Sequence, residues 1–302
     1  MIYTMIDAAP SQSGQQLILG GNRDHNGQSL ASAYDLNSNA WVTLPGTIST
    51  PDPTYKRSNI GMALDKSTGL VVIYGGFGYL NFLQEISTLD TATNPNPQDF
   101  KWDVSFNQTV IPMLYSPFVL YLPTLKQTLV IGGGDRYNVT SGYVSRAASL
   151  AEGYLVSGAT TPSTTSIIPQ TLTFAGGPAQ APPPRYQACK VVMDDGNVLI
   201  QGGRDPTLFY GDTWVLNVTT WVWTNKTVNG PVAAMTRAGH TCGMGPNGQV
   251  LIVGGKHTEE KGKKGLLLSI RHWKEWAITR RERASGGAGL GGGAGKALGL
   301  RV

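Results

Sequence analysis

Charge is scarce in this chain of 302 residues: Asp, Glu, Lys and Arg make up 14% of it, against roughly 25% in ordinary soluble domains. What basic charge there is sits at one end. Residues 256–302 hold 11 Lys/Arg against 4 Asp/Glu, while the rest of the chain holds 13 against 15. The net charge of +5 therefore belongs to the tail, and the body is mildly acidic. A nucleic-acid partner would need a basic stripe on the folded domain, and none is visible. Long apolar runs are absent as well. No stretch reaches the roughly 18 residues that cross a bilayer, and Met1–Ala9 lacks the basic and apolar regions of a signal peptide. Cysteine is limited to Cys189 and Cys242, with no CxxC pair, so no zinc site follows. There is no Gly-x-Ser-x-Gly elbow and no P-loop. Asp194-Asp195-Gly196 reads as a turn rather than a catalytic carboxylate pair. The reading is of no catalytic residues, no metal ligands and no cofactor.

What the chain does have is glycine in a fixed place. An aliphatic run ending in Gly-Gly occurs five times, with the pairs at Gly20-Gly21, Gly75-Gly76, Gly132-Gly133, Gly202-Gly203 and Gly254-Gly255. A recurrence near fifty residues marks a stacked array of one supersecondary unit. Short segments rich in β-branched and aromatic residues surround each pair. Asp195-Gly196 and Asn247-Gly248 read as tight hairpin turns. Each unit predicts a four-stranded antiparallel sheet, which hides its faces by packing on like neighbours around an axis. The paired glycines suit a sharp turn with positive φ in a crowded place. The late tryptophans, Trp41, Trp102, Trp214 and Trp221, are expected to be structural and to fill the wedges between blades.

The order Arg, aliphatic run, Gly-Gly, Asp-Thr-Trp or Tyr-Asp, then Trp resembles the kelch repeat of the galactose oxidase/kelch superfamily. Residues 1–256 carry it. The resemblance implies an all-β, kelch-type β-propeller of four-stranded blades, about five of them visible, in a ring that is expected to be incomplete. Residues 257–302 form a separate basic, Gly-rich tail, read as disordered or partly helical. The long joints look most like kelch ectodomains of fungal surface proteins. That likeness implies a secreted or cell-surface location, although no signal or membrane segment is present, and leaves membrane contact to the tail or a missing anchor.

The resemblance also directs attention to particular residues. Peptide-binding kelch propellers use the positions just after Gly-Gly, here Asn22, Arg23, Asp24, Phe77, Asp135, Arg136, Arg204, Asp205, Lys256 and His257. The plainer reading is that the Asp and Arg residues cap turns and pair across neighbouring blades. Arg57, Arg185 and Arg237 open three units and are expected to bond carbonyls between blades. Cys189 and Cys242 sit on equivalent strands of consecutive units, where either a disulfide or two buried thiols fits. Sequons at Asn107, Asn138, Asn217 and Asn225 are candidate N-glycosylation sites. The preferred reading is a non-enzymatic scaffold for a protein or peptide partner. One alternative, a galactose-oxidase-like copper enzyme, needs a Tyr-His pair and a Tyr-Cys crosslink. No Tyr precedes any of His25, His240, His257 or His272, and His240 reads as structural. An intracellular kelch adaptor is the other alternative.

Overall fold

The computed structural model describes residues 7–20, 31–44, 58–77, 84–138, 143–158, 165–227, 235–245, 248–257 and 298–301. Blade 1 comprises β1 (Asp7–Pro10), β2 (Gln16–Gly20), β3 (Ala31–Asp35) and β4 (Ala40–Thr43). Blade 2 comprises β5 (Gly61–Asp65), β6 (Leu70–Tyr74), β7 (Glu85–Asp90) and β8 (Lys101–Asn107). Blade 3 starts with β9 (Phe118–Leu122) and β10 (Gln127–Ile131). A hairpin of β11 (Gly134–Asn138) and β12 (Tyr143–Ala147) then interrupts it, and β13 (Glu152–Ser157) and β14 (Ser166–Thr171) complete it. Strand β15 (Thr173–Phe174) crosses to the next blade and pairs parallel with its outer strand. Blade 4 is β16 (Cys189–Val192), β17 (Val198–Gln201), β18 (Thr213–Asn217) and β19 (Val222–Lys226).

The fifth sheet has three strands: β20 (Arg237–Met244), β21 (Gln249–His257) and β22 (Leu298–Arg301). Its third strand comes from the tail, with Gln249 opposite Arg301 and Ile252 opposite Leu298. The boundary drawn at residue 256 thus divides a sheet, because strand pairing needs free edge amides and not a kelch-like sequence. The rest of the tail lies outside the described residues.

Strands β1, β5, β9, β16 and β20 are innermost and pack side by side in that order. Between them lies a cavity of about 130 Å³ lined by residues of β1, β9, β16 and β20 and by Ile60 just before β5, with Asp7, Phe118, Lys190 and His240 among them. Lys190 donates across it to Asp7, whose carboxylate also accepts from the Met62 N–H. Cys189 and Cys242 are joined, with Cα atoms 5.4 Å apart, tying β16 to β20.

Burial follows from strand period: alternate side chains face alternate neighbours. Ala9, Ile18 and Ala33 of blade 1 meet Met62, Val71 and Ile73 of blade 2. Val72 and Ile86 of blade 2 meet Val119 and Val130 of blade 3. Leu129 and Leu155 of blade 3 meet Ile200, Leu216 and Trp223 of blade 4. Leu199 and Val215 of blade 4 meet Val250 and Ile252 of blade 5.

The glycine pairs at 75–76, 132–133 and 202–203 sit where one blade meets the next. In Gly202-Gly203 both φ values are positive, at 64° and 90°. A Cβ on Gly202 would come within 2.7 Å of the Arg237 carbonyl oxygen, which opens blade 5. The Gly203 N–H donates to that same oxygen, as the Gly76 and Gly133 N–H groups donate to Leu114 and Arg185 carbonyls. Crowding by the neighbouring blade, rather than by the ring axis, excludes a side chain here.

Two expectations about tryptophan need correction. Trp223, rather than Trp221, is the wedge in blade 4: it is fully buried and its Nε1 donates to the Leu150 carbonyl of blade 3 at 3.0 Å. Trp221 holds a left-handed turn position at φ 57° and packs at the edge of the same cluster. Trp214 is buried there too, and Trp102 packs against the core between blades 1 and 2. Trp41, in contrast, is 57% exposed and fills no wedge.

Candidate functional site

The two ends of the blades differ in kind. At one end the strands are joined by short turns closed by their own acidic or amide side chains. Asp35 accepts the N–H groups of Asn37 and Ser38, Asp90 those of Ala92 and Thr93, and Asn217 those of Thr219 and Thr220. Asp65 and Asp195 close turns in the same way. These are Asx turns, which supply a backbone partner locally and project little.

At the Gly-Gly end the connections are longer and carry bulk. The β11–β12 hairpin rises from blade 3, and residues 204–210 form a compact loop on blade 4. That loop is over-determined. Asp205 accepts from Thr207 N–H and Oγ1, from Leu208 N–H and, at 2.5 Å, from the Tyr210 hydroxyl. Burial alone would raise the Asp205 pKa, but these donors outweigh it and bring it down to about 2. The Tyr210 hydroxyl is pushed above its usual range by burial and by the carboxylate it serves. The Asp205 N–H donates to the Leu208 carbonyl, and the Tyr210 N–H to that of Gly203.

Arg204 is held in the middle of this end. Its guanidinium lies 5.6 Å from the Tyr186 ring centre and 5.0 Å from that of Phe209. Its Nε donates to the Asp205 carbonyl. Tyr186 meets Tyr115 edge to face at 6.1 Å, and both join Phe77 and Ala147 in one cluster. Blades 2, 3 and 4 thus share an aromatic floor with a cation set into it. Leu208 stands at the loop tip, 59% exposed.

Of the ten positions singled out after the Gly-Gly pairs, Asn22, Arg23 and Asp24 lie outside the described residues. Arg136 and His257 lie on β11 and β21, and only their backbone is described. Lys256 is half-buried on β21 opposite Ala238. Asp135 is bonded bidentately by Arg146, at 2.7 and 2.5 Å, inside the β11–β12 hairpin. Asp205 is committed to its own loop. Both described carboxylates of the set, Asp135 and Asp205, are thus paired inside their own loops, which stiffens them. Phe77 and Arg204 do come together near Tyr186. Tyr186, Leu208, Phe209 and Arg146 were missed. The available signal was the apolar run Leu208-Phe209-Tyr210 in a connection that turn chemistry would make polar.

The opening arginines also differ from expectation. Arg185 is fully buried. It forks onto Asp212 at 2.6 and 2.8 Å, donates to the Gly202 carbonyl, and lies over the Tyr210 ring. Arg237 donates to the Gly254 carbonyl in the same way. Both guanidinium groups serve their own blade; it is the arginine's carbonyl that reaches the preceding one. Arg57 lies outside the described residues. His240 is buried, with Nε2 3.0 Å from the Gln201 carbonyl. Among the described residues no three His, Cys, Asp or Glu side chains gather as metal ligands would, and no helix is long and apolar enough to cross a membrane.

The sequons fall in different settings. Asn225 and Thr227 are exposed at the outer edge of blade 4. Asn217 caps its turn and is followed by buried Val218. Asn107 and Asn138 lie on β8 and β11, with only their backbone described.

No curated protein matches this chain. The family described as the KLHDC2/KLHL20/DRC7 Kelch-repeats domain matches residues 8–255, a span that takes in blades 1 to 4 except Asp7, all of β20 and most of β21. With its Gly-Gly junctions, forked Arg185 and blade-by-blade cores, the chain belongs to the kelch-repeat family.

Proposed function

We propose that this protein is a non-enzymatic interaction scaffold that takes a protein or peptide partner on the Gly-Gly end of its propeller. The observation that carries the reading is the loop of residues 204–210. Four hydrogen bonds to one carboxylate hold it rigid while it presents Leu208 to solvent beside a guanidinium set between two rings. Holding a loop in one conformation costs nothing further when a partner arrives, and Arg and aromatic residues are the usual anchors of interfaces. Among the described residues, the turns at the opposite end are short and closed by their own side chains.

Cross-linking the full chain to its partners in material from its native host tests this. Leu208→Asp should lower recovery of specific partners at least about tenfold, the scale of one lost interface anchor. Leu125→Asp, on a turn at the opposite end, should leave recovery unchanged. Equal losses from both changes would refute the placement.

The proposal extends to location: the protein works outside the cytoplasm, at the cell surface or beyond. The reading rests on the likeness to surface kelch ectodomains and on the sequons. Asn225, open at a blade's outer edge, is then the expected glycan acceptor. Glycopeptide mass spectrometry of the endogenous protein should find it occupied, and an unmodified Asn225 would count against secretion.

A further inference from the structure

Blade 5 is fastened to its neighbour differently from the others. The core between blades 1 and 2 holds Phe100 and Trp102, that between blades 2 and 3 holds Tyr74, and that between blades 3 and 4 holds Trp214 and Trp223. Between blades 4 and 5 the core of described residues has no aromatic ring. It consists of Leu199, Val215, Met235, Val250 and Ile252 around Cys189, with Cys242 packed against it. An aromatic ring brings more apolar area to a junction than an aliphatic side chain, so this one gains less from burial. The Cys189–Cys242 bond stands in that place and closes a separation of 53 residues.

The strand held by this bond also seats the loop of residues 204–210. Arg237, the first residue of β20, donates its N–H to the Tyr210 carbonyl at 3.1 Å, and its carbonyl accepts from the Gly203 N–H at 2.8 Å. Those two bonds grip both ends of the loop. Further along β20 the Gly239 N–H donates to the Gln187 carbonyl. Its neighbour Tyr186 exchanges two backbone bonds with Arg204. Cys242 lies on the same strand as Arg237, and Cys189 opens the strand that follows Tyr186. One sulfur bridge therefore ties together the two segments whose backbones hold the loop. It is also within reach of a small molecule. Both cysteines line the central cavity, Cys189 buried and Cys242 half-buried, so the Cys242 sulfur is the one a reductant meets.

We propose that the Cys189–Cys242 bond is a redox latch on the partner site. Closed, it keeps β20 against β16 and the loop gripped in its binding conformation. A dithiol opens it. One thiolate of the reductant attacks the Cys242 sulfur and the Cys189 thiolate leaves; the second thiolate then attacks the reductant's own sulfur in the mixed disulfide, and the Cys242 thiolate leaves. Two electrons pass to the protein, the reductant becomes a disulfide, and its two thiol protons end on Cys189 and Cys242. The remaining aliphatic contacts hold Arg237 less firmly, the loop opens more often, and the partner is released. That release rests on the partner site proposed above. The grip on the loop does not, and it is read without any partner.

Amide hydrogen exchange on the full chain, with and without dithiothreitol, tests this. Reduction should speed exchange at the Gly203 and Arg237 amides at least about tenfold and leave the Gly76 amide, between blades 2 and 3, within about twofold. Cys242→Ser, at the half-buried position, should exchange as the reduced wild type does and no longer respond to dithiothreitol. Peptides selected on the oxidised chain should bind the reduced one at least about tenfold more weakly. Unchanged exchange at Gly203 and Arg237 would overturn the latch, and so would equal acceleration in every blade, the mark of a general staple. Faster exchange at both amides with undiminished peptide binding would refute the partner site and not the grip on the loop.

Discussion

Replacing Arg185 with Ala will lower the unfolding free energy by about 3–5 kcal/mol, the range for breaking a buried ion pair from one side. The side chain is fully buried. Its removal strands Asp212, which keeps only the Trp214 indole as a side-chain donor, and leaves the Gly202 carbonyl short of a partner beside the next blade. Burial works to raise the Asp212 pKa, but the Arg185 fork and the indole more than offset it and hold the carboxyl below its ordinary range. A depressed carboxylate stabilises the fold above its unfolded value and stops doing so as pH falls through its folded value. The loss from Arg185→Ala should therefore be full at neutral pH and shrink once the medium drops below about pH 4. Lys at this position is expected to recover only part, since an ammonium cannot fork. Denaturant titration of the three proteins measures this, and a loss under about 1 kcal/mol for Ala, no more than an exposed pair is worth, would show the pair to be dispensable.

His240 sets the second large effect. Burial first, then the Arg237 guanidinium nearby, depress its pKa to about 3, although the Gln201 carbonyl works the other way. The folded protein therefore holds this imidazole neutral, while the unfolded chain protonates it near pH 6.5. Stability from this residue is complete above about pH 6.5 and is lost as pH falls from there toward 3. Between pH 6.5 and pH 5 the loss should reach about 2 kcal/mol, close to 1.4 per pH unit. Asp205 and Asp212 begin to contribute only below about pH 4, so among the described side chains with a shifted pKa the window belongs to His240. His240→Gln should flatten it, whatever that change does to stability at pH 7. A wild-type curve already flat in this window, or a variant that keeps the slope, would contradict the assignment.

Much of the fold was legible because it rests on local chemistry that repeats. The Gly-Gly pairs required a neighbouring backbone, and the alternating apolar runs beside them set the strands on which blades 1 to 4 are built. What was not legible depends on which element lies next door. Trp41 and Trp223 have the same local setting, yet only Trp223 is covered. Strand β15 joins blade 4 by a two-residue parallel pairing too short for any periodicity. The site was partly legible for the same reason. Arg204 and Phe77 could be placed at the right end from the glycines alone. Whether Asp205 faces a partner or its own loop turns on the hydroxyls of Thr207 and Tyr210, which only the folded loop brings to it. The opening arginines were rightly given a structural part, but the fork onto Asp212 spans 27 residues of chain and leaves no local mark.

The scaffold reading is tested most directly by selecting binders from a random peptide library on the intact chain and measuring their affinity for two variants. The account predicts that peptides are enriched, that Leu208→Asp weakens them at least about tenfold, and that Leu125→Asp at the opposite end does not. Enriched peptides that bind the Leu208 variant as well as the wild type, or a library that yields none, would contradict it.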